Sequence, residues 1–337
     1  MLYLKIVKED LPKLFGALRR FGEIHGPVRM GRFYAFREVS SVDEMSLDYT
    51  RTMIPPKKYF ARPRERILRV SREKGYELVG EGPRRLVLFG LHACDINAIK
   101  ITDSIYIDEY PDPYYSERRR NALLVGVSCL PDEECFCRSM GTDYAHDGFD
   151  LFLHEVGDSY LIRVATERGE EALEGADFLR KPEREDFVRL AEFERRRARM
   201  FKKELLASHL PDVVDSLHDS ESWKEFVDRC LACGSCNLVC PTCRCYEVSE
   251  SLNVSLKEGF RERRWDSCFL RSHALVAGGL NFRPTRLDRF VHRYNCKSGI
   301  NRATGLPYCV GCGRCTVFCP ADIDHVEVIN AIWGVVR

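Results

Sequence analysis

The sequence lacks several features that would settle its class at once. No window approaches the roughly 18 consecutive apolar residues of a membrane span. The N-terminal stretch MLYLKIVKEDLPKLFG is broken by Lys5, Lys8, Glu9 and Asp10, so it has no signal-peptide apolar run. Both absences point to the cytoplasm, where thiols stay reduced and disulfide frameworks are rare. A dominant charge sign is also missing: 52 Lys and Arg stand against 51 Asp and Glu, which excludes a global polyanion-binding surface. There is no G-x-G-x-x-G fingerprint and no low-complexity segment. No nucleophile is paired with a base; DPYYSERRR (112–120) contains nothing to orient a reactive hydroxyl.

Cysteine is abundant, with 16 in 337 residues. CLACGSCNLVCP (230–241) and CVGCGRCTVFCP (309–320) align without gaps as C-x2-C-G-x-C-x3-C-P. Three cysteines at i, i+3 and i+6 wrap one corner of an iron–sulfur cube. In two-cluster ferredoxins the fourth, before proline, ligates the other cluster. The expected ligands of one [4Fe–4S] cluster are therefore Cys230, Cys233, Cys236 and Cys319. Those of the second are Cys309, Cys312, Cys315 and Cys240. Gly234, Gly311 and Gly313 permit positive φ and let amides point at an anionic cluster. Pro241 and Pro320 fix φ after the ligand. Zinc sites usually pair two short hooks of two ligands each, which suits this repeat poorly. The long gap from 242 to 308 is an insertion by ferredoxin standards.

Cys94 ends one expected strand, RLVLFGL (85–91), and Cys129 ends another, NALLVGVS (121–128). Parallel strands deliver their C-terminal ends to one rim of a sheet. Cys94, Cys129, Cys135 and Cys137 are thus expected to hold a third [4Fe–4S] cluster, the plainer alternative being buried free thiols. Cys243, Cys245, Cys268 and Cys296 remain; they could cap a cluster environment or bind a metal of their own, but read more simply as packing thiols.

The expected architecture is α+β / α/β: a mixed α/β domain over 1–180, a helical linker over 181–228 and a dicluster ferredoxin-like domain over 229–337. DINAIKITDSI from Asp95 has helical spacing between the two strands. DLFLHEV and SYLIRVAT flank Gly157-Asp158 as a hairpin. Residues 183–207 are expected to form one helix with Phe187, Leu190, Ala191, Ala198, Phe201 and Leu205 on one face and Arg195, Arg196 and Arg197 largely off it. DVVDSLHDSESWKEFVDR continues in helical character, with Ser220 or Ser222 as cap. MIPPKKYFARPRE (53–65) reads as an ordered loop.

Residues 261–297 are basic, with Trp265, Phe282 and Tyr294 interleaved. Neutralising cluster charge, or a subunit interface, explains this more simply than nucleic acid. Arg244 and Arg314 sit beside ligand cysteines, where a positive charge would raise a cluster's potential. His92 reads as structural or as a neighbour of Cys94.

At this level of detail the chain resembles the beta subunits of archaeal cytoplasmic [NiFe] sulfhydrogenases, and more distantly the A subunit of anaerobic sulfite reductase. The strings that carry the resemblance are TMIPPKKYF (52–60), LFGLHACDINAIKITDSIYIDEYPDPYY (88–115), SCLPDEECFCRSMGTDYAHDGFDLF (128–152), CLACGSCNLVCPTCRCYEV (230–248), RERRWDSCFLRSHALVAGG (261–279) and YCVGCGRCTVFCPADI (308–323). The resemblance implies a non-catalytic subunit of an oxidoreductase complex. It would relay electrons through [4Fe–4S] clusters between a flavin-containing NAD(P)H-oxidoreductase subunit and the [NiFe] hydrogenase small and large subunits. A sulfite reductase or other redox enzyme as terminal partner is the alternative; a zinc-stabilised binding module is the remote one.

Overall fold

The computed structural model describes residues 2–80, 82, 84–206, 210–217 and 220–334. The N-terminal half runs β1 (Leu2–Val7), α1 (Leu11–Leu18), β2 (Glu23–Met30), β3 (Phe33–Glu38), β4 (Arg64–Ser71), β5 (Gly75–Leu78), β6 (Leu86–Leu91), α2 (Ala93–Asp103), α3 (Pro113–Arg120), β7 (Ala122–Val127), β8 (Leu151–Val156), β9 (Ser159–Val164) and α4 (Glu167–Ala172). Seven strands form one sheet in the order β1-β9-β8-β7-β6-β2-β3. The central pairs β2–β6, β6–β7 and β7–β8 are parallel, and the outer pairs are antiparallel. β7 is buried at every position, as its unbroken apolar sequence demands of a strand covered on both faces. One face packs on α1 through Leu14, Phe15 and Leu18; the other packs Leu88 and Leu124 against Ile96 and Ile99 of α2. The expected strand–helix–strand unit and the 151–164 hairpin are both present, the latter turning at Gly157 with φ 76°.

The second half runs α5 (Arg184–Met200), α6 (Leu210–Ser216), α7 (Lys224–Arg229), α8 (Ser235–Leu238), β10 (Tyr246–Leu252), β11 (Glu258–Trp265), α9 (Arg286–Ser298), α10 (Arg314–Val317) and α11 (His325–Gly334). α5 is shorter than its periodicity suggested. Phe201 leaves the helix with ψ 124°, and 201–206 carry no regular structure. Its buried face also differs. Phe193 and Arg197 turn inward while Phe187 is exposed, because Arg197 finds carboxylate and carbonyl partners inside. Ser220 accepts from the Ser222 amide, as a cap before the turn Glu221–Trp223; His218 and Asp219 lie outside the described residues. α7, α9 and α11 close a core around Trp223, Phe290, Val291 and Ile329.

The insertion between the two cysteine repeats builds β10 and β11. They join β4 and β5 in a four-stranded antiparallel sheet of order β10-β11-β4-β5. Glu65 of β4 pairs with Arg263 of β11 at 2.7 Å, and Arg263 also reaches Asp112. Among the described residues no helix is long and apolar enough to cross a membrane.

Candidate metal centre

The two repeats take the same backbone path. Ala232 and Gly234 have φ 51° and 80°; their counterparts Gly311 and Gly313 have φ 62° and 70°. Each loop leads into a short helix, α8 or α10, whose φ-positive N-cap is Gly234 or Gly313. Gly311 and Gly313 answer a second demand. A methyl on Gly311 would lie 2.5 Å from the backbone of Cys137, and one on Gly313 would lie 2.4 Å from the Glu134 carbonyl. The Phe136 amide donates to the Gly311 carbonyl at 2.9 Å. The second repeat therefore rests directly on the cysteine loop of the α/β half.

The cysteines of the two repeats lie close together. Cys230, Cys233, Cys236 and Cys319 line one cavity with Cys315, Phe269, Phe290, Arg293, Tyr294 and His325. Cys309 is surrounded by the charges of Cys315, Cys240 and Cys312, and Cys315 by those of Arg293, Cys312 and Cys240, so Cys240 of the first repeat lies among the cysteines of the second. Arg293 is buried between the two sets; its charge acts on Cys236 and Cys315. Burial raises the Cys240 thiol, but Lys297, Arg293 and Lys57 outweigh it and bring that thiol below its ordinary value.

A second cavity collects Cys94, Cys129, Cys135 and Cys137, together with Thr50, Arg51, His92, Arg197, Cys312 and Arg314. β6 and β7 are parallel neighbours, so Cys94 at the start of α2 and Cys129 just past β7 meet at one rim. Burial pushes all four thiols up, Cys135 to about 12. Three buried guanidinium groups face the cavity. Arg51 donates to the Cys135 sulfur at 3.2 Å and pairs with Asp132. Arg197 donates to the Cys129 carbonyl at 2.9 Å. Arg314 holds Asp95 through two hydrogen bonds of 2.8 and 3.0 Å. His92 is 2% exposed, stacks on Tyr49 at 4.0 Å and uses one ring N–H on the Thr50 backbone. Burial, then Arg314, Arg197 and Arg51, push it down to about 3, so it is neutral. Its Nε2 has no partner among the described residues. Four thiols and three guanidinium groups fit a bound anionic cluster, whose sulfides accept hydrogen bonds and whose charge the arginines balance.

A single zinc ion fits less well. Tetrahedral Zn–S bonds of about 2.3 Å hold sulfurs roughly 3.8 Å apart. Among the described residues the only three metal-donor groups mutually within 4.8 Å are Glu23, His25 and Glu38, at the far side of the sheet, with no cysteine among them. All sixteen cysteines are free of disulfides.

Sequence reading did not foresee Arg51 or Arg197 at the cavity. The i, i+4 relation of Phe193 to Arg197 was the available signal, but an arginine on an apolar stripe reads as an exception to it. The basic segment turns its Arg293 and Lys297 toward cysteines and its Arg263 and Arg264 into ion pairs with Glu65, Asp112 and Glu247.

Residues 229–323 match the family described as a 4Fe-4S dicluster domain. The sulfhydrogenase 2 subunit beta of Pyrococcus furiosus is 50% identical over 333 residues, covering 98% of each chain. The protein belongs to the family of sulfhydrogenase beta subunits. It is an iron–sulfur protein with an electron-transfer role. The F420-dependent formate dehydrogenase subunit beta of Methanocaldococcus jannaschii is also similar, 25% identical over 182 residues, which are 52% of this chain and 39% of that one. No solved structure matches this family member.

Proposed function

We propose that this chain is a three-centre electron relay. Cys94, Cys129, Cys135 and Cys137 would hold one [4Fe–4S] cluster; Cys240, Cys309, Cys312 and Cys315 a middle one; and Cys230, Cys233, Cys236 and Cys319 the last. Bound there, such clusters accept and release single electrons. One observation carries the order: the middle set shares a wall with each neighbour. Cys312 lines the cavity of the α/β half, and Cys315 lines the cavity of the first repeat. The protein's own part is to hold the thiolates, keep water from the inner sites and supply positive charge. Cys233 is exposed, which makes the outermost set the one open to an external partner.

The proposed partners are a flavin-containing NAD(P)H-oxidoreductase subunit and the small and large subunits of a [NiFe] hydrogenase, in the cytoplasm. The full-length likeness to a sulfhydrogenase beta subunit supports this over a sulfite reductase. Anaerobic purification with iron and sulfide analysis tests the relay. Three cubes require about twelve iron atoms per chain. Cys94→Ser should remove the iron of one cube, and Cys312→Ser that of another. An unchanged iron content in Cys94→Ser would reduce the relay to two centres; co-purified subunits identify the partners.

A further inference from the structure

The two inner cysteine sets differ in the cations around them. In the α/β half each guanidinium at the cavity is matched by a carboxylate. Arg314 holds Asp95 at 2.8 Å, Arg51 pairs with Asp132, and Arg197 reaches Asp143 and Glu194, each at 3.3 Å. Such pairs bring little net charge to Cys94, Cys129, Cys135 and Cys137.

The middle set meets cations without that cancellation. Arg293 and Lys297 lie one helical turn apart on the buried face of α9, 4% and 3% exposed. Lys297 donates to the Thr242 hydroxyl at 3.1 Å. That hydroxyl lies 3.4 Å from the Cys240 sulfur and donates to the Tyr308 carbonyl, next to Cys309. Arg293 lines the wall that Cys315 shares with the first repeat, and its Nε has no partner among the described residues. The His325 ring nitrogen 3.4 Å away is no counter-ion, because burial, then Arg293 and Lys297, push it well below its ordinary value. Among the described residues neither cation pairs with a carboxylate. The opposing groups are thiols: Cys236 and Cys315 first around Arg293, and Cys240, Cys296 and Cys243 around Lys297. Lys57 adds an ammonium on the Cys243 carbonyl at 3.0 Å, but burial lowers it from its ordinary value, so the charge rests mainly on the other two.

Reduction adds one electron to a cluster, and an uncancelled positive charge beside it favours that electron. No cysteine of either inner set is exposed, so access of water does not separate the two. We propose that the middle centre binds its electron more tightly than the centre of the α/β half, because Lys297 and Arg293 meet it without carboxylates to cancel them. An electron then passes downhill from the reduced α/β centre to the oxidised middle centre, and no bond is made or broken. The inference rests on the three-centre relay and adds the order of two of its potentials.

The test is an EPR-monitored titration of the full chain with dithionite, without oxygen. The signals are assigned by their loss in Cys94→Ser and in Cys312→Ser. The signal lost in Cys312→Ser is expected to appear at the higher potential. Lys297→Met should move that signal downward and leave the one lost in Cys94→Ser in place, and Lys297→Arg should restore it. The reverse order in the unaltered protein overturns the proposal, and that comparison does not depend on the Lys297 variants folding. A shift of both signals alike in Lys297→Met, or of neither, overturns it as well. Unchanged iron in Cys94→Ser and Cys312→Ser would instead overturn the underlying relay.

Discussion

Arg314 of the second cysteine repeat grips Asp95, the residue after Cys94, through two hydrogen bonds of 2.8 and 3.0 Å, with both side chains buried. Arg314 also donates to the Thr52 carbonyl at 2.8 Å. One guanidinium thus ties the strand-end rim of the α/β sheet, the residue that leads into the 53–65 loop and the ferredoxin-type repeat. Removing one partner leaves the other charge buried and unpaired. Asp95→Ala should lower stability by about 3–5 kcal/mol. Replacing both residues with leucine should cost less than the two single changes together. Anaerobic denaturation midpoints of the three variants check this.

Gly311 and Ala232 hold equivalent places in the repeats but unequal surroundings. Gly311→Ala should drive a methyl into the Cys137 backbone and lose iron from the middle and α/β sets. Ala232→Gly should leave iron content unchanged, since alanine already adopts φ 51° there. Iron per chain, measured on both, separates crowding from backbone conformation.

Arg51 places a positive donor 3.2 Å from the Cys135 sulfur. Positive charge favours the more negative, reduced state of a cluster. Arg51→Met should therefore shift the potential of the α/β centre downward by tens of millivolts and leave the others in place. An EPR-monitored redox titration reads this; an upward shift would contradict the charge argument.

His154 on β8 is 2% exposed, and burial, then Arg163 and Arg197, push it down to about 3. Its pKa is depressed on folding, so the unfolded chain binds the proton first. The contribution is complete above pH 6.5 and is lost as pH falls from 6.5 toward 3. His154→Phe should flatten the acid limb of a stability-against-pH curve. Urea midpoints from pH 7 to pH 4 would show it, and parallel curves for the two proteins would exclude this histidine as the cause.

The dicluster segment and the rim where Cys94 and Cys129 meet were readable because they depend on short-range rules. Cysteine spacing fixes a loop, and parallel strands fix a common rim. What escaped the sequence came from distant pairing. Arg197 reads as a polar helix residue until Asp143 and the Cys129 carbonyl meet it at the cavity wall. Lys57, in a proline-punctuated loop, gives no sign that it ends against Cys243. Helix α5 stops before Phe201, which turns to extended backbone and lines the cavity.

The four-stranded antiparallel sheet has a consequence for how the molecule is made. Arg64 of β4 pairs with Arg264 of β11, so an early hairpin leaves the ribosome long before its mate exists. Until then β4 presents an open edge, and such far-separated pairing is slow to form. Iron loading of the first repeat brackets this wait, since the last of its proposed ligands, Cys319, is synthesised later still. Oxygen or iron starvation during that interval would be expected to strand nascent chains with an unmatched edge, and it is there that a chaperone would find its target.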